Sequence, residues 1–215
     1  MTEPASDRDR ALSERSLSAP RLVSLAWVAG CVDALSYLRL GGVFTANMTG
    51  NTVLLAVAAI RGDGAQAGRS ALAFAGFVAG AALATALARR AAFAVEGGLL
   101  AATALLEILA PSHLLILAAA AAMGAQSAVT RRNSPSGVNV TYITGTTTSM
   151  VSRWTDRLLG RDDDPPGLPS AVWAFYLAGG LSGAALAHAP RWVGFAAAAI
   201  VAAAPVLRDR RGHGS

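Results

Sequence analysis

Two short stretches of this sequence decide how the rest is interpreted: residues 42–52 read GVFTANMTGNT and residues 137–147 read GVNVTYITGTT. They share the pattern G-V-x5-T-G-x-T at a constant offset of 95 residues. Both stretches are rich in Gly, Thr and Asn, yet each lies beside long apolar runs. We call them the two T-G motifs, and they predict a break in a helix within an apolar environment.

The composition indicates a membrane protein. Of the 215 residues, 53% are hydrophobic and only 14% are charged, whereas a soluble domain carries about a quarter charged residues. All 18 basic residues are arginine, and most of them flank apolar blocks, which is typical of loops between membrane spans and argues against nucleic-acid binding. Cys31 is the only cysteine, so the chain has neither an intrachain disulfide nor a cysteine-based metal cluster.

Eight apolar segments follow one another along the chain. A membrane-spanning helix needs about 20 predominantly apolar residues, and six segments approach that length and composition. The exceptions are 43–60 and 138–152, because their first halves are too polar to face lipid. We therefore predict an all-α transmembrane bundle of six full spans plus two broken or re-entrant helices, with eight full spans as the alternative. The eight segments are 22–38, 43–60, 70–88, 92–110, 114–130, 138–152, 170–188 and 192–207.

The distribution of arginine predicts the orientation. With six spans and both termini inside, 14 arginines face the cytoplasm and four face outwards; with eight spans the numbers are 12 and six. Both arrangements satisfy the positive-inside rule. We predict a multi-pass protein of a bacterial inner membrane, with a disordered cytoplasmic tail at 1–21 and a basic cytoplasmic tail at 208–215.

The chain also repeats itself beyond the T-G motifs. Gly30, in AGCVDA, lies 94 positions before Gly124, in MGAQSA, and the run GAALA begins at both Gly80 and Gly183. We predict two membrane repeats, 22–110 and 111–207. Six spans would place three in each repeat and so invert one relative to the other, whereas eight spans would leave the repeats parallel.

Two GxxxG pairs predict close helix packing, either within the chain or between copies in a homo-oligomer. Small residues four apart let helix backbones approach one another. The pairs are Gly76 with Gly80 and Gly179 with Gly183.

The T-G motifs are the predicted solute site. Non-helical backbone at membrane depth must be buried in protein or face a water-filled cavity, and a helix that starts there presents free amides and a partial positive charge. A carboxylate within the first span is a functional candidate by default. The alternative is that these polar groups only satisfy their own helix breaks. The predicted binding residues are Asp33, Asn47, Thr49, Gly50, Asn51, Gln126, Tyr142, Thr144, Gly145 and Thr146.

Three functions compete. The leading one is a small solute or ion transporter, and the second is a non-transporting scaffold or regulatory protein. The third is an enzyme, because residues 180–183 read GLSG as in intramembrane serine proteases, but His188 is six residues beyond Ser182 on the same helix and cannot reach it. We therefore predict no catalytic residue, no metal site and no cofactor, and the lipid bilayer as the main partner.

The same residues resemble the YoaK-like family of bacterial membrane proteins, whose activity is not established. The resemblance covers about 22–207 and lies in Asp33, in the run Met48 to Asn51, in the G-x-Q-x-A-x-x-R-R stretch from Gly124 to Arg132, and in Thr144 to Thr146. It implies a polytopic membrane protein and leaves the activity open.

Overall fold

The structure is a computed structural model that describes residues 17–109, 112–134, 140–161 and 167–211, with side chains as far as residue 204. Within these residues the chain forms eight α-helices and no strand. Residues 1–16 and 212–215 of the predicted tails and the acidic run 162–164 lie outside the described part. The helices are α1 Ala19–Arg39, α2 Met48–Arg61, α3 Gly64–Ala86, α4 Arg89–Leu109, α5 Ser112–Asn133, α6 Ile143–Leu158, α7 Gly167–Leu186 and α8 Arg191–Arg211.

Six helices have 20 to 23 residues, which corresponds to about 30 Å of rise. Four of them, α1, α3, α4 and α5, are long and apolar enough to cross a membrane. The bundle also presents large apolar side chains on its outside, among them Ile60, Leu109 and Leu181. Such a surface suits lipid rather than water. The all-helical membrane fold predicted from the sequence is therefore confirmed at this level.

Two parallel helix pairs form the closest contacts in the bundle. In one pair, α7 lies on α1, with Gly179 against the carbonyl of Trp27 and Gly183 against that of Cys31. In the other, α3 lies on α5, with Gly76 against the carbonyl of Leu117 and Gly80 against that of Ala121. A Cβ at these positions would meet backbone atoms, so each contact requires glycine. All four glycines of the GxxxG pairs thus face helices of their own chain.

The ends of the helices define two ends of the bundle. At the Arg39 end, the Arg39 guanidinium at the end of α1 donates to the carbonyls of Leu186, Ala187 and Ala189 after α7, and of Arg191 at the start of α8. At the Leu17 end, the amide of Leu17 before α1 donates to the carbonyl of Asn133 at the end of α5, over 2.6 Å. Helices α1, α4 and α7 therefore run from the Leu17 end to the Arg39 end, and α3, α5 and α8 run back.

Helices α2 and α6 are shorter and begin inside the bundle. After α1 the chain turns back at Gly41 and Gly42, whose φ angles of 84° and 75° favour glycine. Residues 43–47 then descend along α1 as far as Asp33, six residues before its end, and α2 returns to the Arg39 end. The segment before α6 lies beside Ser127, six residues before the end of α5, and α6 runs to the Leu17 end, where Trp154 donates to Ser170 at the start of α7. The two short helices therefore start near each other and end at opposite ends of the bundle.

Candidate functional site

The starts of α2 and α6 meet at a cavity of about 210 Å³ near the middle of the bundle. Each T-G motif contributes its first helical turn and the residues just before it, and α3, α5 and α7 close the sides. None of the lining residues is charged. They are Ala46, Asn47, Met48, Thr49, Phe77, Ser127, Thr141, Tyr142, Ile143, Thr144 and Tyr176.

Four of the ten predicted binding residues line this cavity: Asn47, Thr49, Tyr142 and Thr144. Thr49 and Thr144, the threonines of the two T-G pairs, are both exposed there. The other six predicted residues lie behind the lining. Tyr176 and Phe77 carried no signal in the sequence, because α7 and α3 bring them to the cavity from far along the chain. Thr141 and Ser127 stood next to predicted residues and were missed.

Asp33 does not line the cavity; it holds the segment that leads into α2. Its Oδ1 accepts hydrogen bonds from the amides of Thr45 (2.8 Å) and Ala46 (2.7 Å), and its Oδ2 accepts one from the Tyr176 hydroxyl (2.8 Å). The side chain is buried. Asp33 therefore acts on the cavity through residues such as Ala46 and Tyr176, which line it.

The second half of the chain holds its T-G motif in a different way. In place of a carboxylate, the Ser127 hydroxyl of α5 accepts a hydrogen bond of 3.1 Å from the Thr141 hydroxyl. Phe77 of α3 contributes an apolar ring where α7 contributes the Tyr176 hydroxyl. The two sides of the cavity thus have the same arrangement of helices, but the side with Tyr176 is more polar than the side with Phe77.

Amide side chains stabilise the start of α2. Asn47 caps the helix, since its Oδ1 accepts from the Gly50 amide at 3.1 Å. Asn51 is buried, accepts from the Phe44 amide at 3.0 Å and donates to the Phe44 carbonyl. Gly50 leaves room for the Phe44 ring, because a Cβ there would lie 2.9 Å from it. These contacts fix the backbone around the cavity.

The remaining predicted residues have similar structural roles. Gly145 leaves room for the Tyr142 ring, and the buried Thr146 hydroxyl donates to the Tyr142 carbonyl at 3.3 Å. Gln126 is buried and donates to the Leu25 carbonyl at 2.9 Å, which joins α5 to α1.

The cavity offers polar groups without net charge. The first-turn amides of α2 and α6 begin here, and the amides at the start of a helix carry a partial positive charge. Hydroxyls of Thr49, Thr144 and Tyr176 and the amide of Asn47 lie beside apolar side chains. Among the residues that the structure describes, no group of three or more His, Cys, Asp or Glu side chains is placed to hold a metal ion.

A second cavity, of about 610 Å³, lies at the Arg39 end. Arg39, Glu107, Ser112 and Arg191 line it, and Arg39 pairs with Glu107 over 3.1 Å. We call it the Arg39 vestibule. The sequence did not predict this ion pair, because 68 residues separate its partners.

Comparison with known proteins is consistent with the resemblance noted in the sequence. Residues 21–207 match the family described as "Protein of unknown function (DUF1275)". The "UPF0700 transmembrane protein YoaK" of Bacillus subtilis (strain 168) is 34% identical over 148 residues, which are 62% of this chain and 66% of that relative, just under two thirds of its length. No solved structure matches the chain.

Proposed function

The chain belongs to the DUF1275 family, and from this premise we propose that it is a membrane transporter for a small polar solute or ion. The cavity between α2 and α6 is its solute site. One observation carries the proposal: two short helices from the two halves of the chain start at one cavity and line it with their T-G motifs.

The free-energy cost of unpaired backbone groups in a membrane supports this interpretation. Backbone groups left unpaired in hydrocarbon cost several kcal/mol each, so irregular backbone at membrane depth is tolerated where protein or a water-filled cavity surrounds it. Broken helices whose first turns face a central site are a recurring way to bind solutes in transporters. A helix break with only a structural role needs no cavity lined by exposed Thr49 and Thr144.

We further propose that six helices cross the membrane and that α2 and α6 re-enter it from opposite sides. The alternating directions of the six long helices support this. The lengths of α7 and α8, 20 and 21 residues, also lie close to the 21 to 23 residues of the four apolar helices. The seven-residue step from Arg39 to Ala46 brings the chain from the end of α1 back to Asp33, six residues inside that helix.

The packing supports an inverted duplication of α1–α4 and α5–α8. Gly80 of α3 lies on Ala121 of α5 as Gly179 of α7 lies on Trp27 of α1. In these two equivalent contacts, Ala121 of α5 takes the place of Trp27 of α1, 94 positions earlier. Gly179 of α7 likewise takes the place of Gly80 of α3, 99 positions earlier. The repeated GAALA run, at an offset of 103, is therefore one helical turn out of this register.

The arginines support a cytoplasmic Leu17 end. Only Arg39, Arg61, Arg69 and Arg191 belong to the Arg39 end, and the remaining 14 belong to the Leu17 end or the tails. The positive-inside rule then places both termini in the cytoplasm. In this orientation α2 enters the membrane from outside and α6 from the cytoplasm.

A second candidate function, a non-transporting scaffold or regulatory protein, is favoured by the internal hydrogen bonds of Asp33, Asn51 and Gln126. We propose that neither function involves catalysis at Ser182. Its hydroxyl donates to the Ala178 carbonyl at 2.8 Å and accepts from the Trp27 indole at 3.3 Å.

Water access to the cavity separates these two functions. In a Cys31→Ser background, we would introduce Thr49→Cys or Thr144→Cys and treat intact cells and inverted vesicles with a membrane-impermeant thiol reagent. Thr130→Cys is the matched control, because Thr130 is fully buried in α5. A transporter predicts labelling of both cavity positions and protection of the control.

Protection of positions 49 and 144 from both sides, with full reaction after denaturation, would contradict the solute site. The T-G motifs would then be sealed helix breaks and the scaffold would be the better explanation.

A further inference from the structure

A buried carboxyl group apart from the cavity has no structural explanation so far. Glu96 lies in α4, has no exposed surface, and neither of its carboxyl oxygens has a hydrogen-bond partner among the described residues. We propose that Glu96 is a proton-binding site within the membrane domain and that its proton exchanges through the Arg39 vestibule.

The surroundings of Glu96 are apolar. Helix α4 packs mainly against α5 and α8, and the neighbouring Gly97 lies beside the Ala203 side chain. Leu100, one turn further, belongs to the main hydrophobic cluster. The charged or titratable side chains described on α3, α4, α5 and α8 lie towards the helix ends and make no bond to Glu96; they are Arg69, Arg89, Arg90, Glu107, His113, Arg131, Arg132 and Arg191.

This environment favours the protonated acid. An ionised carboxylate in an apolar interior with no partner is strongly unfavourable. The neutral acid carries no net charge and avoids most of that cost. The other buried carboxyl groups of the bundle are held differently, since Asp33 accepts three hydrogen bonds and Glu107 pairs with Arg39.

A stripe of polar side chains leads from Glu96 towards water. Thr103 and Glu107 follow Glu96 by seven and 11 residues, so they lie on nearly the same face of α4 and the stripe covers about 16 Å. All three are buried. Glu107 lines the Arg39 vestibule, and its Oε2 has no hydrogen-bond partner in the described part of the chain. A proton that enters from the vestibule therefore meets the Glu107 carboxylate first and the Thr103 hydroxyl next, before it reaches Glu96.

The inference does not depend on the transport proposal. Glu96 is not among the residues that line the central cavity, and α4 carries neither T-G motif. The matching part of α8, residues 191–204, contains no acidic residue. The proton site therefore belongs to one half of the chain only.

Infrared spectroscopy tests the proposal directly on the full-length protein in lipid nanodiscs. A protonated carboxyl has a carbonyl stretching band distinct from that of a carboxylate, and the band shifts when the proton is exchanged for deuterium. We expect the difference spectrum between wild type and Glu96→Gln to contain one such band, which is lost at alkaline pH and shifts in heavy water. Glu96→Gln has nearly the same shape as the wild type, so the fold is retained.

The route is tested by the rate of that shift. Glu107→Gln should keep the Glu96 band and slow its deuterium shift severalfold, whereas Ser70→Ala, which changes a buried hydroxyl of α3 outside the stripe, should leave the rate unchanged. Three results would overturn the proposal: no band difference at any pH, a band that does not shift in heavy water, or a band abolished by sodium at constant pH. An unchanged rate in Glu107→Gln would overturn the route.

Discussion

At the scale of single residues, Asp33 holds the segment that leads into α2 by accepting hydrogen bonds from two of its amides. It joins three parts of the chain, because α1 carries the carboxylate, residues 45 and 46 supply two amides, and α7 supplies Tyr176. A carboxylate at membrane depth is a functional candidate by default. Here its first role is to fix the backbone of the candidate site.

The first prediction follows from these bonds. Asp33→Ala leaves the amides of Thr45 and Ala46 without their acceptor, and each buried unsatisfied group costs about 1–3 kcal/mol. We expect a clear fall in the thermal unfolding temperature of the detergent-solubilised protein, and a smaller fall for Asp33→Asn, whose amide oxygen still accepts. Equal unfolding temperatures for Asp33→Ala and wild type would show that the bonds contribute nothing.

The sequence identified single residues unevenly, and the reason is physical. Thr49 and Thr144 were found because a T-G pair in an apolar run is locally unusual. Tyr176 was not found, because an aromatic residue in an apolar helix has no local peculiarity, and its bond to Asp33 joins residues 143 positions apart. Asp33 was found, yet its partners are backbone amides, which a sequence pattern does not reveal.

At the scale of elements, the parallel pairs α1/α7 and α3/α5 depend on glycine. A Cβ at Gly80 or Gly179 would meet the carbonyl of Ala121 or Trp27, whereas a Cβ at Gly98 of α4 would meet nothing within 4 Å. The two helices of each pair can therefore approach closely because glycine has no side-chain atoms at the contact. Alanine substitution tests this without changing polarity.

The second prediction compares these glycines. Gly80→Ala and Gly179→Ala should each destabilise the bundle by about 1–3 kcal/mol through overpacking. Gly98→Ala is the control and should stabilise it slightly, since alanine favours a helix over glycine by up to about 1 kcal/mol. The measurement is the thermal unfolding temperature, and a loss for Gly98→Ala as large as for Gly80→Ala would contradict the interpretation.

The third prediction concerns the unequal anchoring of α2 and α6. The start of α2 is fixed by Asp33, by the Asn47 cap and by the Asn51 bonds to Phe44, whereas Tyr142 provides no side-chain cap for α6. We expect amides 45–51 to exchange with deuterium more slowly than amides 141–146. Peptide-level mass spectrometry measures both, and the reverse order would show that these hydrogen bonds do not govern local opening.

At the scale of the whole molecule, the models with six and with eight spans differ in the side of the membrane on which one turn lies. With six spans and two re-entrant helices, the turn between α2 and α3 lies outside and the turn after α6 lies in the cytoplasm. With eight spans, both turns lie in the cytoplasm. The α2–α3 turn is therefore the informative position.

The fourth prediction uses this difference. In a Cys31→Ser background, an impermeant thiol reagent should label Ala65→Cys in intact cells and Leu159→Cys only in inverted vesicles. Both positions are exposed in the structure. Labelling of both only in inverted vesicles would favour eight spans and contradict the re-entrant α2.

Hydropathy placed the eight helices within a few residues of where they form, because apolar length is a local property. It also located the helix breaks at 43–47 and before 143. Hydropathy could not predict which helices pack against one another. That α1 joins α7, or that α3 joins α5, depends on contacts between glycines and carbonyls distant in the chain, and GxxxG alone does not name its partner.

The exchange of partners between the halves has a consequence for biosynthesis. While a ribosome makes the first half, α1 and α3 lack their closest neighbours, because α7 and α5 are not yet synthesised. Until the second half is made, α1 and α3 therefore lie in the bilayer, or against the insertion machinery, and the surfaces that later pack at the glycines are not yet covered by their partner helices. Under the inverted duplication that we propose, an ancestor with a single copy of the unit would have met the same requirement by inserting into the membrane in both orientations and pairing with itself.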